Sequence, residues 1–256
     1  MIPAWVSLLD ALIAIALLVF GILAAHFEAI SAFAGFQLFL LGFFLGILAL
    51  IAGVIALIRT AHPSRSGGRP RAIAGTVIGL VITVPIAVII ARNLNYPNIN
   101  DITTDFDTPP EFVHAATLEA NQARDMHYLK AKSETVQQSF YGNLEPIRVA
   151  TPPNVTFDHV KIAAAEMPNW RITYADPRQM TIEGVATSTL FHFKDDFVVQ
   201  VRPAEGGASL IEMRSKSRDG LSDLGANTRR IHAFFVFFSH GNAVVPAPKT
   251  ALSKAG

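Results

Sequence analysis

Three cations alternate along one segment near the C-terminus: Arg214, Lys216 and Arg218. The residues around them predict a β-strand, in which alternate side chains share a face. The three cations would then lie together. Such a row suits a phosphate, a carboxylate or a lipid headgroup, because guanidinium groups bind these anions through paired hydrogen bonds. The alternative is internal pairing with carboxylates at Asp195, Asp196, Asp219 or Asp223.

The turn after this strand adds further polar groups. Gly220 and Gly225 permit a tight backbone there, and Asp223 is a good N-cap for the helix that follows. Asn227 and Arg230 lie one turn along that helix and can reach back to the strand. The set predicts either a structural clasp or a ligand site, with these candidate ligand-binding residues: Arg214, Lys216, Arg218, Asp223, Asn227 and Arg230.

Two other groups suggest chemistry only weakly. Asp101, Asp105 and Asp107 alternate as in a calcium loop, but the loop lacks the glycine and the distal glutamate of that motif, which favours a solvated or arginine-paired loop. A Ser-His-Asp hydrolase triad could be formed by His192 with an aspartate at Asp195 or Asp196 and a serine at Ser215 or Ser217. The Gly-x-Ser-x-Gly turn that presents the serine in such hydrolases is absent from the sequence. We predict no catalytic residue, no metal and no cofactor, and favour a protein that is not an enzyme.

Composition excludes several further classes. The chain of 256 residues has no cysteine, which excludes thiol chemistry, disulfides and cysteine metal sites. Its 21 lysines and arginines nearly balance 20 aspartates and glutamates. No basic excess marks a nucleic-acid partner, and none is expected.

Three apolar runs come first in the chain: Trp5 to Phe27, Ala32 to Ile58, and about Ile73 to Ala91. A helix rises about 1.5 Å per residue and a bilayer core is about 30 Å thick, so about twenty apolar residues span it. All three runs reach that length and predict membrane-spanning helices. The first lacks a basic segment before it and exceeds a signal peptide's apolar stretch, so we expect an uncleaved span.

Arginines in the loops predict the orientation. The loop between the first two runs has no lysine or arginine, whereas the loop between the second and third has four: Arg59, Arg65, Arg69 and Arg71. Basic loops stay in the cytoplasm. We expect a bacterial inner-membrane protein with a cytoplasmic N-terminus, and a periplasmic domain after the third run.

Glycines in the apolar runs predict close helix packing. The second run spaces them by seven, four and seven residues, which places them on one helical face: Gly35, Gly42, Gly46 and Gly53. Gly75 and Gly79 repeat the four-residue spacing in the third run. Such residues let helix backbones approach closely. We expect a packing groove within a three-helix bundle, or alternatively a face for another membrane protein.

The pattern after the third run predicts an α+β domain. A helix is expected over Phe157 to Glu166, and a final helix from Ser222 or Asp223. Strand-like segments lie between them: Trp170–Tyr174, Met180–Leu190, Phe191–Arg202 and Ser209–Arg218. The predicted fold class is three transmembrane α-helices plus an α+β domain with an antiparallel sheet of about four strands flanked by helices. We predict a membrane anchor over 1–92, the α+β domain over 93–242 and a disordered tail over 243–256.

The stretch from Arg214 to Ile231 resembles the C-terminal signature R-S-x-S-R-x-G-x-x-D-x-G-x-N-x-x-R-I of domain-of-unknown-function family 1499 (DUF1499). It agrees at every specified position, and so do a block at 193–196 and a block at 100–105 followed by Pro109, Pro110 and Phe112. The resemblance covers about residues 93 to 240. It implies the form that this family takes in proteobacteria, with N-terminal spanning helices, and it supplies no activity.

These observations favour a non-enzymatic envelope protein with a periplasmic binding or scaffold domain. Its expected partners are the lipid bilayer and a lipid, an anionic small molecule or a membrane protein. One alternative is an accessory subunit of a membrane complex that docks through the glycine faces. Another is an envelope hydrolase with carboxylates as acid and base.

Overall fold

The computed structural model describes residues 2–61, 67–142 and 144–241, and the backbone of 244–245. The chain forms two compact units. The first comprises residues 1–95 with 188–193, and the second comprises 96–187 with 194–256.

The first unit contains three long helices: α1 (Ile2–His26), α2 (Ala32–Arg59) and α3 (Arg69–Asn93). Each is long and apolar enough to cross a membrane, which confirms the prediction of a membrane-embedded N-terminal region. Ser31 caps α2 by accepting a 3.2 Å hydrogen bond from the amide of Ala34. Arg65 of the predicted basic loop lies outside the described residues.

The glycines of the predicted packing faces all lie against a neighbouring helix: Gly35, Gly42, Gly46, Gly53, Gly75 and Gly79. A Cβ added at Gly75 would lie 2.1 Å from the Ser7 hydroxyl oxygen, and that hydroxyl donates to the Ala49 carbonyl over 2.8 Å. A Cβ at Gly79 would lie 2.7 Å from the backbone nitrogen of Leu50. The absence of these side chains therefore sets the distance between the helix backbones.

The second unit is an antiparallel α+β domain, which confirms the predicted fold class. Its strands are β1 (Asp101–Thr103), β2 (Ile147–Val149), β3 (Trp170–Asp176), β4 (Thr181–Thr187), β5 (Lys194–Ala204), β6 (Ala208–Ser217) and β7 (Val244–Val245). Its helices are α4 (Lys130–Tyr141), α5 (Pro153–Glu166) and α6 (Ala226–Gly241). The strand order is β3-β4-β5-β6-β2-β7, and β1 also pairs with β6.

The two faces of this sheet differ in what covers them. Helices α5 and α6 pack on one face and form the main core, with Val160, Phe234 and Phe238 against Phe197 and other strand residues. On the opposite face, Val198 packs against a smaller cluster from the segment 104–129: Phe112, Ala115 and Met126. We call this segment the cover.

Some element bounds differ from the predicted ones. Helix α5 begins at Pro153, four residues earlier than expected, because proline is accepted in the first turn of a helix. Helix α6 begins at Ala226, after the predicted start. Short strands β1, β2 and β7 enlarge the predicted sheet. Of the predicted tail, the structure describes only the backbone of Val244–Val245, which pairs with β2; the rest lies outside the described residues.

Candidate functional site

Arg214 is fully buried and bound on every side. Its Nε and Nη2 each donate to a carboxylate oxygen of Asp101 over 2.8 Å. Nη2 also donates to the Met126 carbonyl at 2.9 Å, and Nη1 to the Pro110 carbonyl at 3.3 Å. The guanidinium carbon lies 4.8 Å from the ring centre of Phe112. Arg214 therefore joins β1, β6 and the cover.

Two carboxylates on this face are each shared by two cations. Asp101 also accepts from Lys216 Nζ at 2.7 Å. Asp196 accepts from Arg218 Nη2 at 2.7 Å and from Arg124 Nη1 at 3.0 Å. Each cluster therefore carries one more positive charge than its carboxylate neutralises.

Three of these four cations reach solvent. The side chains of Lys216, Arg218 and Arg124 are 11%, 16% and 17% exposed, whereas that of Arg214 is 0% exposed. Arg218 directs Nε and Nη2 at Asp196, which leaves its Nη1 for another acceptor. We call Lys216, Arg218 and Arg124 the cationic edge.

The helix face carries a separate polar network. Asn227 is fully buried; its Oδ1 accepts from the Ser215 hydroxyl at 2.7 Å and its Nδ2 donates to the Ser217 hydroxyl at 3.0 Å. Arg230 donates to Ser215 over 3.0 Å and forms an ion pair with Asp195. This network attaches α6 to β6, and the two serines bond there rather than to a histidine.

Asp223 caps the start of α6. Its two carboxylate oxygens accept from the amides of Gly225 and Asn227, both at 2.8 Å. Burial raises the pKa of Asp223, and these hydrogen bonds lower it less than burial raises it. Gly225 has a φ of +76° and lies so close to Tyr96 that a Cβ would be 2.6 Å from its ring.

The sheet divides the six predicted ligand-binding residues into two groups. Arg214, Lys216 and Arg218 lie on the covered face, and Asp223, Asn227 and Arg230 lie on the helix side. Strand alternation predicted the first group. Sequence reasoning missed Arg124, because no local pattern links it to Asp196, 72 residues later.

Glu183 is a further buried carboxylate that the sequence did not reveal. Its Oε1 accepts from the amides of Val113 and His114 at 2.8 and 2.9 Å, and its Oε2 from that of Ala115 at 2.7 Å. Three amide donors satisfy a buried carboxylate well. Glu183 thus fastens the cover to β4.

Glu212 differs from the other carboxylates on this face. Its Oε2 lies 2.8 Å from Arg202 Nε. Burial raises the pKa of Glu212 to about 7, although Arg202 opposes this. Nearby Asp105 has a lowered pKa, because hydrogen bonds from Thr108 and Asp107 outweigh its burial. Arg202 and Thr108 also line a polar groove of about 520 Å³.

The described residues contain no group of three side chains suited to a metal ion. The alternating aspartates have partners in the protein instead. Asp101 binds Arg214 and Lys216, and Asp107 accepts from Lys130 at 2.7 Å. Asp105 accepts from the Thr108 hydroxyl at 2.7 Å.

A second groove, of about 490 Å³, lies between α5 and α6. Ile162 and Phe237 contribute apolar surface to it, and His159, Glu166 and His240 contribute polar groups. Ile162 and Phe237 are also well exposed. The surface between α5 and α6 is therefore an exposed, mainly apolar groove of the α+β domain.

The structure defines a class of protein: a helical, membrane-embedded N-terminal region followed by an antiparallel α+β domain with a buried, charged polar layer. Residues 101–237, more than half of the chain, match the family described as a protein of unknown function, DUF1499. The chain belongs to the DUF1499 family, which confirms the resemblance in its signature. No curated protein matches it.

Proposed function

We propose that this protein is a membrane-anchored binding protein without enzymatic activity, whose α+β domain binds an anionic group at the cationic edge. The group is a phosphate or carboxylate, carried by a lipid headgroup or by a free small molecule. One observation carries the proposal: two carboxylates, Asp101 and Asp196, are shared by four cations.

The charge imbalance gives the site its chemistry. Excess positive charge in a partly dehydrated cluster attracts an anion more strongly than the same charge in water. Lys216 directs only one bond at Asp101, so its ammonium has further hydrogens to donate. Together with Nη1 of Arg218, it can hold the oxygens of one anion through charge-assisted hydrogen bonds.

The same proposal places the domain in the periplasm and the anchor in a bacterial inner membrane. The arginines near the α2–α3 connection, including Arg59, Arg69 and Arg71, support a cytoplasmic loop. Three spans then carry the chain after Asn93 to the opposite side.

The test compares anion retention in matched variants of the full-length protein. Native mass spectrometry in detergent is performed with added phosphatidylglycerol in one arm and inorganic phosphate in the other. We expect the wild type to retain at least one of them, and the double variant Lys216→Gln/Arg218→Gln to bind at least about tenfold less tightly, as loss of two charge-assisted bonds implies. The two arms separate a lipid headgroup from a free anion.

The control double variant, Lys161→Gln/Arg178→Gln, removes the same charge from exposed positions and should bind as the wild type does. Two outcomes contradict the proposal. One is that the wild type retains neither anion. The other is equal retention in both double variants with a lower melting temperature only for Lys216→Gln/Arg218→Gln, since the cluster would then be only a structural clasp.

A second candidate function is an envelope hydrolase that uses the carboxylates Glu212 and Asp105. Their partners Arg202 and Thr108 line the polar groove, and burial raises the pKa of Glu212 while hydrogen bonds lower that of Asp105. Neighbouring acids with separated pKa values can divide the roles of acid and base. The check is turnover of ester, phosphoester and glycoside substrates between pH 5 and 8. Activity in the wild type that Glu212→Gln abolishes would favour this candidate, and inactivity of the wild type would count against it.

A further inference from the structure

The short loop between β4 and β5 belongs to the first unit of the structure rather than to the second. We call residues 188–193, Ser-Thr-Leu-Phe-His-Phe, the aromatic loop. It closes on itself, since the Ser188 amide donates to the Phe193 carbonyl at 2.8 Å and the Phe193 amide donates to the Ser188 hydroxyl oxygen at 2.9 Å. The loop therefore has a defined conformation of its own.

Within the first unit, the aromatic loop contacts the end of the α1–α2 hairpin. The ring of Phe191 lies 5.6 Å from that of Phe36 and 5.5 Å from that of Phe39, both edge to face. Phe193 lies 6.1 Å from Phe36. Edge-to-face ring pairs of this kind are favourable beyond their buried area. The contacts fix the loop beside the first two turns of α2.

The histidine at the end of α1 adds two more contacts. Nδ1 of His26 lies 3.3 Å from the Thr189 carbonyl oxygen. The imidazole rings of His26 and His192 have centres 4.2 Å apart. Both ends of the α1–α2 turn therefore touch the loop.

The depth of this position follows from helix length. At about 1.5 Å per residue, the 28 residues of α2 extend about 42 Å, which exceeds the roughly 30 Å hydrocarbon core of a bilayer. A helix of this length centred in the bilayer has its first turn at the boundary between headgroups and acyl chains. Phe36 and Phe39, which contact the aromatic loop, lie in the first two turns of α2.

The loop also exposes apolar surface. Leu190 is 51% exposed, and Phe27, at the adjoining turn, is 75% exposed. Exposure of these apolar side chains to water is unfavourable, whereas their transfer into the lipid at the bilayer surface is favourable. We infer that the aromatic loop is a membrane-contact site, with Leu190 inserted among the lipids at the bilayer surface.

Chain topology gives an independent check on this inference. After three spans, every later residue lies on the side where α1 ends and α2 begins. Residues 188–193 follow α3 and contact His26 and Phe36, which lie at that same end. An even number of crossings would make these contacts impossible.

The absence of cysteine makes the test direct. Leu190→Cys and Leu221→Cys are each labelled with an environment-sensitive fluorophore in the full-length protein and reconstituted into nanodiscs. Leu221 is an exposed leucine of the second unit and serves as the matched control. Lipids with a spin label in the upper acyl chain are then added as quenchers.

We expect the label at position 190 to emit at shorter wavelength and to lose intensity with the quencher, while the label at 221 shows neither change. Two results would overturn the inference. Emission at 190 like that at 221 would mean that the loop lies in water. A blue-shifted label at 190 that the lipid quencher leaves unchanged would mean that it contacts protein only.

Discussion

At the scale of single residues, buried arginine–carboxylate pairs determine how the covered face holds together. Arg214 satisfies both oxygens of Asp101 and two backbone carbonyls without contact with solvent. A buried ion pair adds little net stability, because the loss of hydration of both charges offsets their attraction. Removal of one partner nevertheless destabilises the fold strongly, because the other charge stays buried without compensation. The alternating cations are thus unequal: Arg214 is enclosed, whereas Lys216 and Arg218 are accessible.

Arg214→Ala should destabilise the domain by roughly 3–5 kcal/mol, because Asp101 would stay buried with Lys216 as its remaining cation. Arg214→Lys should recover little of this loss, since an ammonium cannot bind both carboxylate oxygens in the same fork. Chemical unfolding followed by fluorescence measures the effect, because Trp170 packs on Phe197 in the core. Arg178→Ala, at an exposed position, should change stability by less than about 0.5 kcal/mol.

Glu212 predicts a pH dependence with a definite sign. Its folded-state pKa is raised from about 4.5 to about 7, so the folded state binds the proton more tightly than the unfolded state. The stabilisation of the folded state by protonated Glu212 is fully present below about pH 4.5, and it is lost as the pH rises to about 7. The loss is on the order of 3 kcal/mol.

Glu212→Gln removes this titration, so the variant should gain stability relative to the wild type between pH 5 and 8. Melting temperatures of both proteins across that range provide the measurement. Because Asp223 titrates in both, the difference between the two proteins isolates Glu212. Parallel curves would show that Glu212 does not titrate in this range.

At the scale of elements, glycine positions determine the packing of the apolar helices. Gly79→Leu should disrupt the contact of α3 with α2, because even a Cβ would lie 2.7 Å from the Leu50 nitrogen and 2.9 Å from the Gly46 carbonyl oxygen. Ala87→Leu places the same side chain on the exposed face of α3 and should be tolerated. The measurement is the melting temperature in detergent, and equal values for both variants would contradict the packing role.

Periodicity predicted the long elements and missed the short ones. The three apolar helices and strands β3 to β6 have enough residues for a repeat to be recognised. Strands β1 and β2 have three residues each and exist because β6 offers them a partner. Helix α4 was not expected either, since its sequence is mostly polar and its buried side chains include Ser133 and Gln137.

At the scale of the whole molecule, the order of the chain predicts its topology in the membrane. Two single-cysteine variants test this topology. Gly67→Cys places a thiol just before α3, and Asp219→Cys places one just after β6. In intact cells, a membrane-impermeant maleimide should label position 219 once the outer membrane is permeabilised, and should label position 67 only after lysis. The opposite pattern would reverse the proposed orientation, and equal labelling of both would contradict three spans.

The amino-acid sequence by itself determined the membrane-embedded region, the antiparallel α+β class, the alternation of cations and the family. Each of these depends on local composition or on short repeats, which are encoded in neighbouring residues. The tertiary structure alone decided which charges meet. Asp101 binds Arg214, which lies 113 residues later in the chain, and Glu183 accepts a hydrogen bond from the amide of Val113, 70 residues earlier. Such pairs depend on strand register and on the path of the cover, and no local pattern encodes either.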